Sequence, residues 1–177
     1  SIFKNRVAPI QICWLGYVNT TGLKQMDYLI TDPYLIKDNE KILYSEKIIR
    51  LPKIWNSHEK LDEKLEIKIP CEANNFITFG SFNNFRKISS NVINVWSEIL
   101  LESNSKLILK SSMNNSKELR DRLLSKFPSN LLKENKIILI EGQRDKKDHL
   151  NMYHKIDIGL DTFPYTGVTT SFEAIWM

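Results

Sequence analysis

Residues 76–100, FITFGSFNNFRKISSNVINVWSEIL, carry the pattern that decides the fold. The apolar run Phe76-Ile77-Thr78-Phe79 predicts a buried strand, residues 80–87 predict a polar loop, and Ser89 or Ser90 predicts a helix cap. The apolar residues of that helix recur at the spacing of one helical face: Val92, Val95, Trp96, Ile99 and Leu100. A short apolar strand followed by an amphipathic helix favours an α/β fold with a parallel sheet.

The same alternation continues to the end of the sequence. Further strands are predicted at Leu107-Ile108-Leu109, Ile137-Ile138-Leu139-Ile140 and Ile156-Asp157-Ile158-Gly159-Leu160. Helices are predicted from near Ser116, from about Lys147 to Tyr153, and from near Thr170. The first of these presents one apolar face: Leu119, Leu123, Leu124 and Phe127. Residues from 76 onward therefore predict a doubly wound, Rossmann-like domain.

The first part of the sequence predicts a separate piece of structure. Strands are predicted at 9–15, 27–31 and 47–51, and the loop at 16–22 has a glycine at each end. Residues 56–75 are charged, lack a clean period and contain Pro70, so they predict a linker. The predicted organisation is thus a first domain section at 1–55, a linker at 56–75 and a second domain section at 76–177.

Composition and charge argue against several classes of protein. The 42% hydrophobic and 26% charged residues are ordinary for a globular chain. A net charge of +4, without a run of five or more Lys or Arg, gives no specific support for nucleic-acid binding. No apolar run approaches the roughly 20 residues that a membrane span needs. Cys13 and Cys71 lie in apolar surroundings and predict reduced thiols in the cytoplasm.

Known catalytic motifs are missing from the sequence. It contains no HExxH, GxGxxG, GxxxxGK[ST] or GxSxG pattern. Asp157 and Asp161 are four residues apart within a predicted strand, and His149 and His154 are five apart, which does not match the spacing of a shared helical metal site. We therefore expect neither a metal ion nor another cofactor.

Polar loops follow three of the predicted strands, at 81–87, 143–149 and 162–170. Because ligands of doubly wound sheets sit outside the carboxyl ends of the strands, we expect these loops to meet at one rim. This rim is the candidate site.

The loop before the last helix allows two interpretations. Thr170 followed three residues later by Glu173 has the spacing of a capping box, which is a structural role. The same helix start, with Gly167 for close approach and the hydroxyls of Thr169 and Thr170 as donors, also suits a phosphate. The two roles are compatible.

The basic residues of the rim also allow two interpretations. Arg86 and Lys87 are either solvated surface cations or groups that stabilise a diphosphate as its charge grows. Lys146 and His149 either begin a surface helix or contact a ribose and stack on a base.

Three ordered blocks of the sequence match signature segments of a known family. The first block consists of Ala8-Pro9-Ile10-Gln11, Trp14-Leu15-Gly16-Tyr17, Thr20-Thr21-Gly22 and Met26-Asp27-Tyr28. The second consists of Ser81-Phe82-Asn83-Asn84 and Lys87. The third consists of Leu160-Asp161-Thr162-Phe163-Pro164-Tyr165, Gly167, Thr169-Thr170, Glu173-Ala174 and Trp176. Together they resemble the O-linked N-acetylglucosamine transferases, especially bacterial members that follow tetratricopeptide repeats.

This resemblance implies a fold, a reaction and a set of site residues. The fold is GT-B, with two Rossmann-like domains that are both incomplete here. The reaction is the inverting, metal-independent transfer of N-acetylglucosamine from UDP-N-acetylglucosamine to Ser and Thr hydroxyls of proteins. Lys87 is the implied catalytic residue at the diphosphate. The implied donor-binding residues are Asn84 beside Lys87, Thr169 and Thr170 at the phosphates, Lys146 and Glu173 at the ribose, and His149 on uracil. Leu15, Gly16 and Tyr17 line the implied sugar pocket.

The sequence departs from the family at a few positions. Val18-Asn19 stands where Pro-Gly is common, and Thr166 and Val168 replace the usual residues of the third block. The family's candidate catalytic His residues belong to sequence upstream of Ser1. We therefore expect a fragment that carries mainly the donor-binding half and is inactive alone. Two alternatives stay open: transfer of another sugar or to another acceptor, and a non-catalytic relative that binds nucleotide sugars.

Overall fold

The structure is a computed structural model that describes residues 2–59, 69–112, 116–143 and 145–177. The chain divides into two compact units, Ser1–Glu59 and Lys60–Met177, which we term the first and second units. Within the predicted linker, residues 60–68 lie outside the described residues, whereas Pro70–Asn74 forms a short helix. Both units are built on parallel sheets, as the sequence predicts.

A three-stranded parallel sheet organises the first unit. Its strands, in the order β1-β2-β3, are β1 (Ile12–Cys13), β2 (Tyr28–Thr31) and β3 (Lys47–Arg50). β2 and β3 match their predictions, but β1 is much shorter than the predicted 9–15. The Gln11 N–H bonds the Asp27 carboxylate at 2.8 Å instead of a strand neighbour, and the chain turns where the Gly16 N–H bonds the Trp14 carbonyl at 2.9 Å. A side-chain bond and a tight turn therefore confine β1 to two residues.

A four-stranded parallel sheet organises the second unit. Its strands are β4 (Ile77–Ser81), β5 (Ser105–Ser111), β6 (Ile137–Glu141) and β7 (Ile158–Gly159). Their order in the sheet is β6-β5-β4-β7, so a strand lies at each of the four predicted places, although β7 is shorter than the predicted 156–160. The chain first builds outward from β4 to β6 and then returns to place β7 on the other side of β4. The carboxyl ends of β4 and β7 consequently form a topological switch point, where ligands of such sheets bind.

Six α-helices accompany this sheet in the described part of the second unit. They are α1 (Pro70–Asn74), α2 (Ser90–Glu102), α3 (Lys117–Leu124), α4 (Ser129–Lys133), α5 (Lys146–Asn151) and α6 (Thr169–Trp176). Helix α4 was not predicted. The predicted helix from Ser116 ends at Leu124, and Phe127 is buried beyond its end.

Helix α2 begins as predicted, because the Ser89 hydroxyl accepts the Val92 N–H at 3.3 Å. The predicted apolar face is wrong at one position. Val95 is exposed, whereas Ile93 is buried together with Trp96. The buried face is thus rotated relative to the predicted one, which leaves Val95 at its edge.

Side chains on both faces of the β4–β7 sheet are buried. The first cluster of buried residues includes Phe79, Trp96, Leu107, Leu109 and Leu131, and the second includes Phe82, Ile108, Leu150, Met152 and Tyr153. Leu107 and Leu109 alternate with Ile108 along β5, as the two-residue period of a strand requires. This double coverage explains the nearly continuous apolar strands of the sequence.

Asp157 fastens the amino end of the sheet. Its carboxylate accepts the Cys71 N–H from α1 and the Thr78 N–H from β4, each at 2.8 Å.

Cys71 and Cys13 are both free cysteines. None of the described helices has the length and apolarity to cross a membrane.

Candidate functional site

Asn83 and Asp161 join the carboxyl ends of β4 and β7. The buried Asn83 side chain donates from Nδ2 to Asp161 Oδ1 at 2.9 Å. This bond lies at the switch point of the sheet, so two of the three predicted loops meet as expected. Neither residue was among the predicted site residues, although both lie within the blocks that resemble the family.

Asp161 also orders the loop that follows β7. Its Oδ1 accepts the N–H groups of Thr162 and Gly167, each at 2.7 Å, and its Oδ2 accepts the Ser171 hydroxyl at 2.9 Å. One carboxylate therefore holds β7, the loop at 162–167 and the first turn of α6 in a single arrangement. Charge-assisted bonds of this kind are stronger than neutral ones.

Gly167 lies in close contact with this network. A Cβ atom there would come within 2.4 Å of Ser171 Oγ, 2.7 Å of Thr170 Oγ1 and 2.9 Å of Asn83 Oδ1. Any larger residue would displace hydroxyl and amide groups that bond one another. The close approach inferred from the sequence is thus a contact with the protein's own side chains.

The start of α6 differs from the predicted capping box. The helix begins at Thr169 after Val168, which supplies no side-chain cap, so Thr170 is not the N-cap residue. The Thr170 hydroxyl instead donates to Asn83 Oδ1 at 3.0 Å. Glu173 points to another cluster, described below. The prediction of a capping box is therefore wrong, because both of its side chains have tertiary partners.

Lys87 reaches across from the β4 loop to the β7 loop. It ends a short 3-10 helix, Phe85–Lys87, whose start is capped by the Asn84 side chain accepting the Arg86 N–H at 3.0 Å. Lys87 Nζ donates to the Thr166 carbonyl at 2.8 Å and lies 4.6 Å from the centre of the Tyr165 ring. The Thr166 carbonyl and the Tyr165 ring therefore fix the ammonium group beside the segment that leads into α6.

A second cluster of polar residues extends from α6 to β5. His149 Nε2 lies 2.9 Å from Glu173 Oε2, and the Tyr153 hydroxyl donates to the same oxygen at 3.1 Å. Lys110 Nζ bonds His149 Nδ1 on the other side of the ring. Tyr153 also donates to the Thr170 carbonyl at 3.2 Å, which connects this cluster to the start of α6.

Burial governs the electrostatics of this second cluster. Desolvation lowers the pKa of Lys110, although the negative charge of Glu173 opposes that change. Desolvation and the adjacent Glu173 carboxylate raise the pKa of Tyr153 far above its usual value. The phenol therefore stays protonated and serves as a hydrogen-bond donor.

The predicted donor-binding residues fall into two groups. Thr170, His149 and Glu173 are linked through hydrogen bonds, as described above. Asn84, Lys146 and Thr169 are exposed residues at the starts of their helical segments. Arg144, in the predicted loop at 143–149, lies outside the described residues.

Lys110 and Tyr153 were missed by sequence reasoning. Lys110 directly follows the predicted strand Leu107-Ile108-Leu109, so a cation at the carboxyl end of an apolar strand was an available signal. Tyr153 ended a predicted helix and carried no such signal.

Between β4, β7 and α6 lies a cavity of about 220 Å³, whose lining includes Phe82, Asn83, Asp161, Thr170 and Ser171.

The predicted sugar-pocket residues, Leu15, Gly16 and Tyr17, are exposed in the first unit, where Leu15 has a positive φ of 68°. The buried carboxylate of Glu46 fastens the rest of their loop. It accepts the Thr20 hydroxyl and the Thr21 N–H, each at 2.7 Å. The Thr21 and Ser45 hydroxyls also donate to it.

No group of three or more His, Cys, Asp or Glu side chains suited to a metal ion occurs among the described residues. The rim instead carries the ammonium of Lys87, the carboxylate of Asp161, several hydroxyls and amides, and the N-terminus of α6. The ammonium, the hydroxyls, the amides and the helix N-terminus suit a phosphorylated ligand.

Comparison with known proteins places these features in a family. Residues 1–75 match the model of glycosyl transferase family 41. Over 174 residues, the chain is 38% identical to a Hordeum vulgare protein and 40% identical to one from Eustoma exaltatum subsp. russellianum, in each case covering 97% of this chain. Both are named probable UDP-N-acetylglucosamine–peptide N-acetylglucosaminyltransferase SPINDLY. A solved structure of a mutant O-GlcNAc transferase from Thermobaculum terrenum matches with a TM-score of 0.82 and 32% identity, over 96% of this chain and 32% of that one.

The fold and these relatives define the class as glycosyltransferases with the GT-B fold. Within that class, the chain belongs to the O-linked N-acetylglucosamine transferase family. It spans about a fifth of the length of the curated relatives, covering 18% of the Hordeum vulgare protein.

Proposed function

We propose that the second unit binds the nucleoside diphosphate of UDP-N-acetylglucosamine. In this proposal the complete enzyme transfers the sugar to Ser and Thr hydroxyls of proteins, with inversion and without a metal ion. The carrying observation is the ammonium of Lys87, held at the Thr166 carbonyl in front of α6. The names of the plant relatives, which specify this donor and peptide acceptors, also support the proposal.

The diphosphate would bind where the Asp161 loop meets α6. The helix N-terminus offers backbone N–H groups and partial positive charge, and Val168 supplies no side-chain acceptor for them. Thr169 is exposed beside these groups, and Asn84 lies near Lys87 along the chain. Because the Thr170 hydroxyl proton is engaged by Asn83, Thr170 would contribute chiefly its backbone N–H. Lys87 would then offset part of the negative charge of the diphosphate.

The chemical step requires a group that stabilises the leaving diphosphate. The acceptor oxygen forms a bond to the anomeric carbon while the bond from that carbon to the diphosphate oxygen breaks. Negative charge grows on the departing UDP, and a preorganised cation lowers the barrier by binding that charge more tightly in the transition state. In this proposal the acceptor proton passes to a general base of the complete enzyme.

The nucleoside would lie against the second cluster. Glu173 would accept a ribose hydroxyl, Lys146 would approach the ribose from α5, and the His149 ring would stack on uracil. Stacking of this kind contributes about 1–3 kcal/mol per base in nucleic-acid complexes. In the first unit, the residues that we propose for sugar binding are Leu15, Gly16 and Tyr17. The free thiols of Cys13 and Cys71 are consistent with the cytoplasmic location that we propose.

Calorimetric titration of the full-length protein tests the ligand class. We expect UDP to bind equally well with EDTA and with Mg²⁺, and more tightly than GDP. Binding that requires Mg²⁺ or Mn²⁺, or a preference for GDP, would contradict the proposed donor site.

Transfer assays with a panel of UDP-sugars and protein acceptors test the reaction. We expect N-acetylglucosamine to be transferred faster than glucose or galactose. Faster transfer of another sugar would overturn the donor assignment, and UDP binding without transfer of any sugar would indicate a non-catalytic relative.

A further inference from the structure

Lys110 is a lysine buried inside the second unit. It lies near the end of β5, and only 3% of its surface is exposed. Its ammonium bonds His149 Nδ1 and lies 5.2 Å from the centre of the Phe82 ring. Burying a lysine is costly, and an apolar residue of similar size would fill the same space more cheaply. The position of Lys110 therefore suggests a role beyond packing.

With Lys110 as an ammonium group, the hydrogen bonds on the two sides of His149 assign a donor and an acceptor role to its two ring nitrogens. An ammonium group has no lone pair, so His149 Nδ1 must accept the bond from Lys110. On the other side, the Glu173 carboxylate is an acceptor, so Nε2 must carry the proton. Both requirements select the same neutral tautomer, with hydrogen on Nε2. Tyr153 donates to Glu173 as well, which fixes the carboxylate from a second direction.

We propose that Lys110 is a positioning residue for the nucleoside, acting through His149. This inference rests on the proposed nucleotide site. Lys110 and Glu173 hold opposite edges of the imidazole, so rotation of the ring is restricted and its orientation for stacking is set before the base arrives. Packing strengthens this restraint, because the ring centres of Phe82 and Tyr153 lie 6.3 Å and 5.8 Å from that of His149. Preorganisation of this kind improves affinity by removing an ordering cost from binding.

A double-mutant cycle on the full-length protein separates this role from a structural one. Lys110→Met removes the donor but keeps an unbranched side chain, and it is measured alone and together with His149→Ala. The probes are UDP and uridine, titrated at constant pH and salt. If Lys110 acts through His149, Lys110→Met lowers the affinity for both ligands on the order of tenfold when His149 is unchanged. The same substitution has little further effect on affinity in the His149→Ala protein. Uridine and UDP lose affinity equally, because the effect concerns the nucleoside.

Lys106→Met is the matched control. Lys106 lies on the same strand, and its ammonium is 4.8 Å from the centre of the Phe76 ring, but it belongs to the opposite end of β5. We expect this variant to bind UDP as the unchanged protein does. Lys110→Arg keeps a donor that can reach Nδ1, and we expect it to retain most of the affinity. If Lys110→Met does not fold, Lys110→Leu, which also lacks a donor, replaces it in the cycle.

The outcomes distinguish this inference from the proposed function. Equal UDP affinity for Lys110→Met and Lys106→Met would overturn the role of Lys110 while leaving the nucleotide site intact. The same loss of affinity with and without His149 would also overturn it, since the effect would then not pass through the ring. Failure of the unchanged protein to bind UDP would overturn both proposals.

Discussion

Asp157 and Asp161 flank β7 and fasten its opposite ends to the segments at the two ends of β4. Asp157 accepts the Thr78 N–H at 2.8 Å at the amino end, and Asp161 accepts the Asn83 side-chain amide at 2.9 Å at the carboxyl end. The two carboxylates thus perform the same structural task, but only Asp161 lies at the predicted ligand rim. This pairing allows stability and ligand binding to be measured separately.

The first prediction compares Asp161→Asn with Asp157→Asn. Each amide replaces one accepting oxygen with a donor that faces other donors, so each variant should lower the free energy of unfolding by about 1–3 kcal/mol. Only Asp161→Asn should lower the affinity for UDP, by about tenfold, because it disrupts the hydrogen bonds that hold Gly167 and Ser171 at the start of α6. Denaturant unfolding and calorimetry of the full-length protein provide the two measurements. Equal loss of UDP affinity in both variants would argue against a site at this rim.

The second prediction concerns Gly167. A methyl group there would collide with Ser171 Oγ at 2.4 Å and Thr170 Oγ1 at 2.7 Å. Gly167→Ala should therefore displace the start of α6 and lower the affinity for UDP by about tenfold or more. Gly159→Ala serves as the control, since its methyl group would meet only the Ala174 Cβ at an ordinary 3.8 Å. A Gly167→Ala protein with unchanged UDP affinity would show that the close approach is not needed for the ligand.

The third prediction is a pH dependence of stability in the first unit. Burial raises the pKa of Glu46, but hydrogen bonds from Thr21 and Thr20 outweigh that effect and leave it below its usual value. A lowered pKa in the folded state adds stability that is complete above the ordinary pKa of a glutamate. That stability is lost as the pH falls through the pKa that Glu46 has in the folded protein, so the free energy of unfolding should decline from about pH 5 towards pH 3.

Glu46→Gln should lower the free energy of unfolding by about 1–3 kcal/mol at pH 7 and flatten its dependence on acid. Glu40→Gln is the control, because that carboxylate caps an exposed 3-10 helix by accepting the Lys37 N–H. Denaturant titrations at several pH values provide the measurement. An acid dependence that is identical in the unchanged and Glu46→Gln proteins would exclude Glu46 as its source.

Much of the fold was predictable because its signals are local. The strands of the second unit are short apolar runs, and the Ser89 cap of α2 is read from adjacent residues. Errors arose where distant groups determine structure. β1 is shortened by the Asp27 side chain, 16 residues away from Gln11, and the exposure of Val95 depends on how α2 packs against the sheet.

The site was predictable as a meeting of loops but not as a set of bonds. Strand order alone brings Asn83 and Asp161 to one rim. The spacing of Thr170 and Glu173 favoured a capping box, yet Asn83 and His149 are their actual partners. Periodicity gives no information about such tertiary bonds. Lys110 does carry a sequence signal, because it directly follows an apolar strand, but its bond to His149 does not follow from that position.

The last prediction concerns Lys87 and its neighbour Arg86. Lys87 Nζ is held by the Thr166 carbonyl at 2.8 Å and faces the Tyr165 ring, so its charge is already in place when the leaving diphosphate develops. Lys87→Ala in the complete enzyme should therefore lower kcat by about 10²-fold or more, as loss of one preorganised stabilising group does elsewhere. Arg86→Ala removes an adjacent exposed cation and should change kcat little. Steady-state kinetics with UDP-N-acetylglucosamine and a protein acceptor measure both variants. If Lys87→Ala raises KM while kcat is unchanged, Lys87 contributes uniform binding to substrate and transition state, and its assignment to the leaving group is wrong.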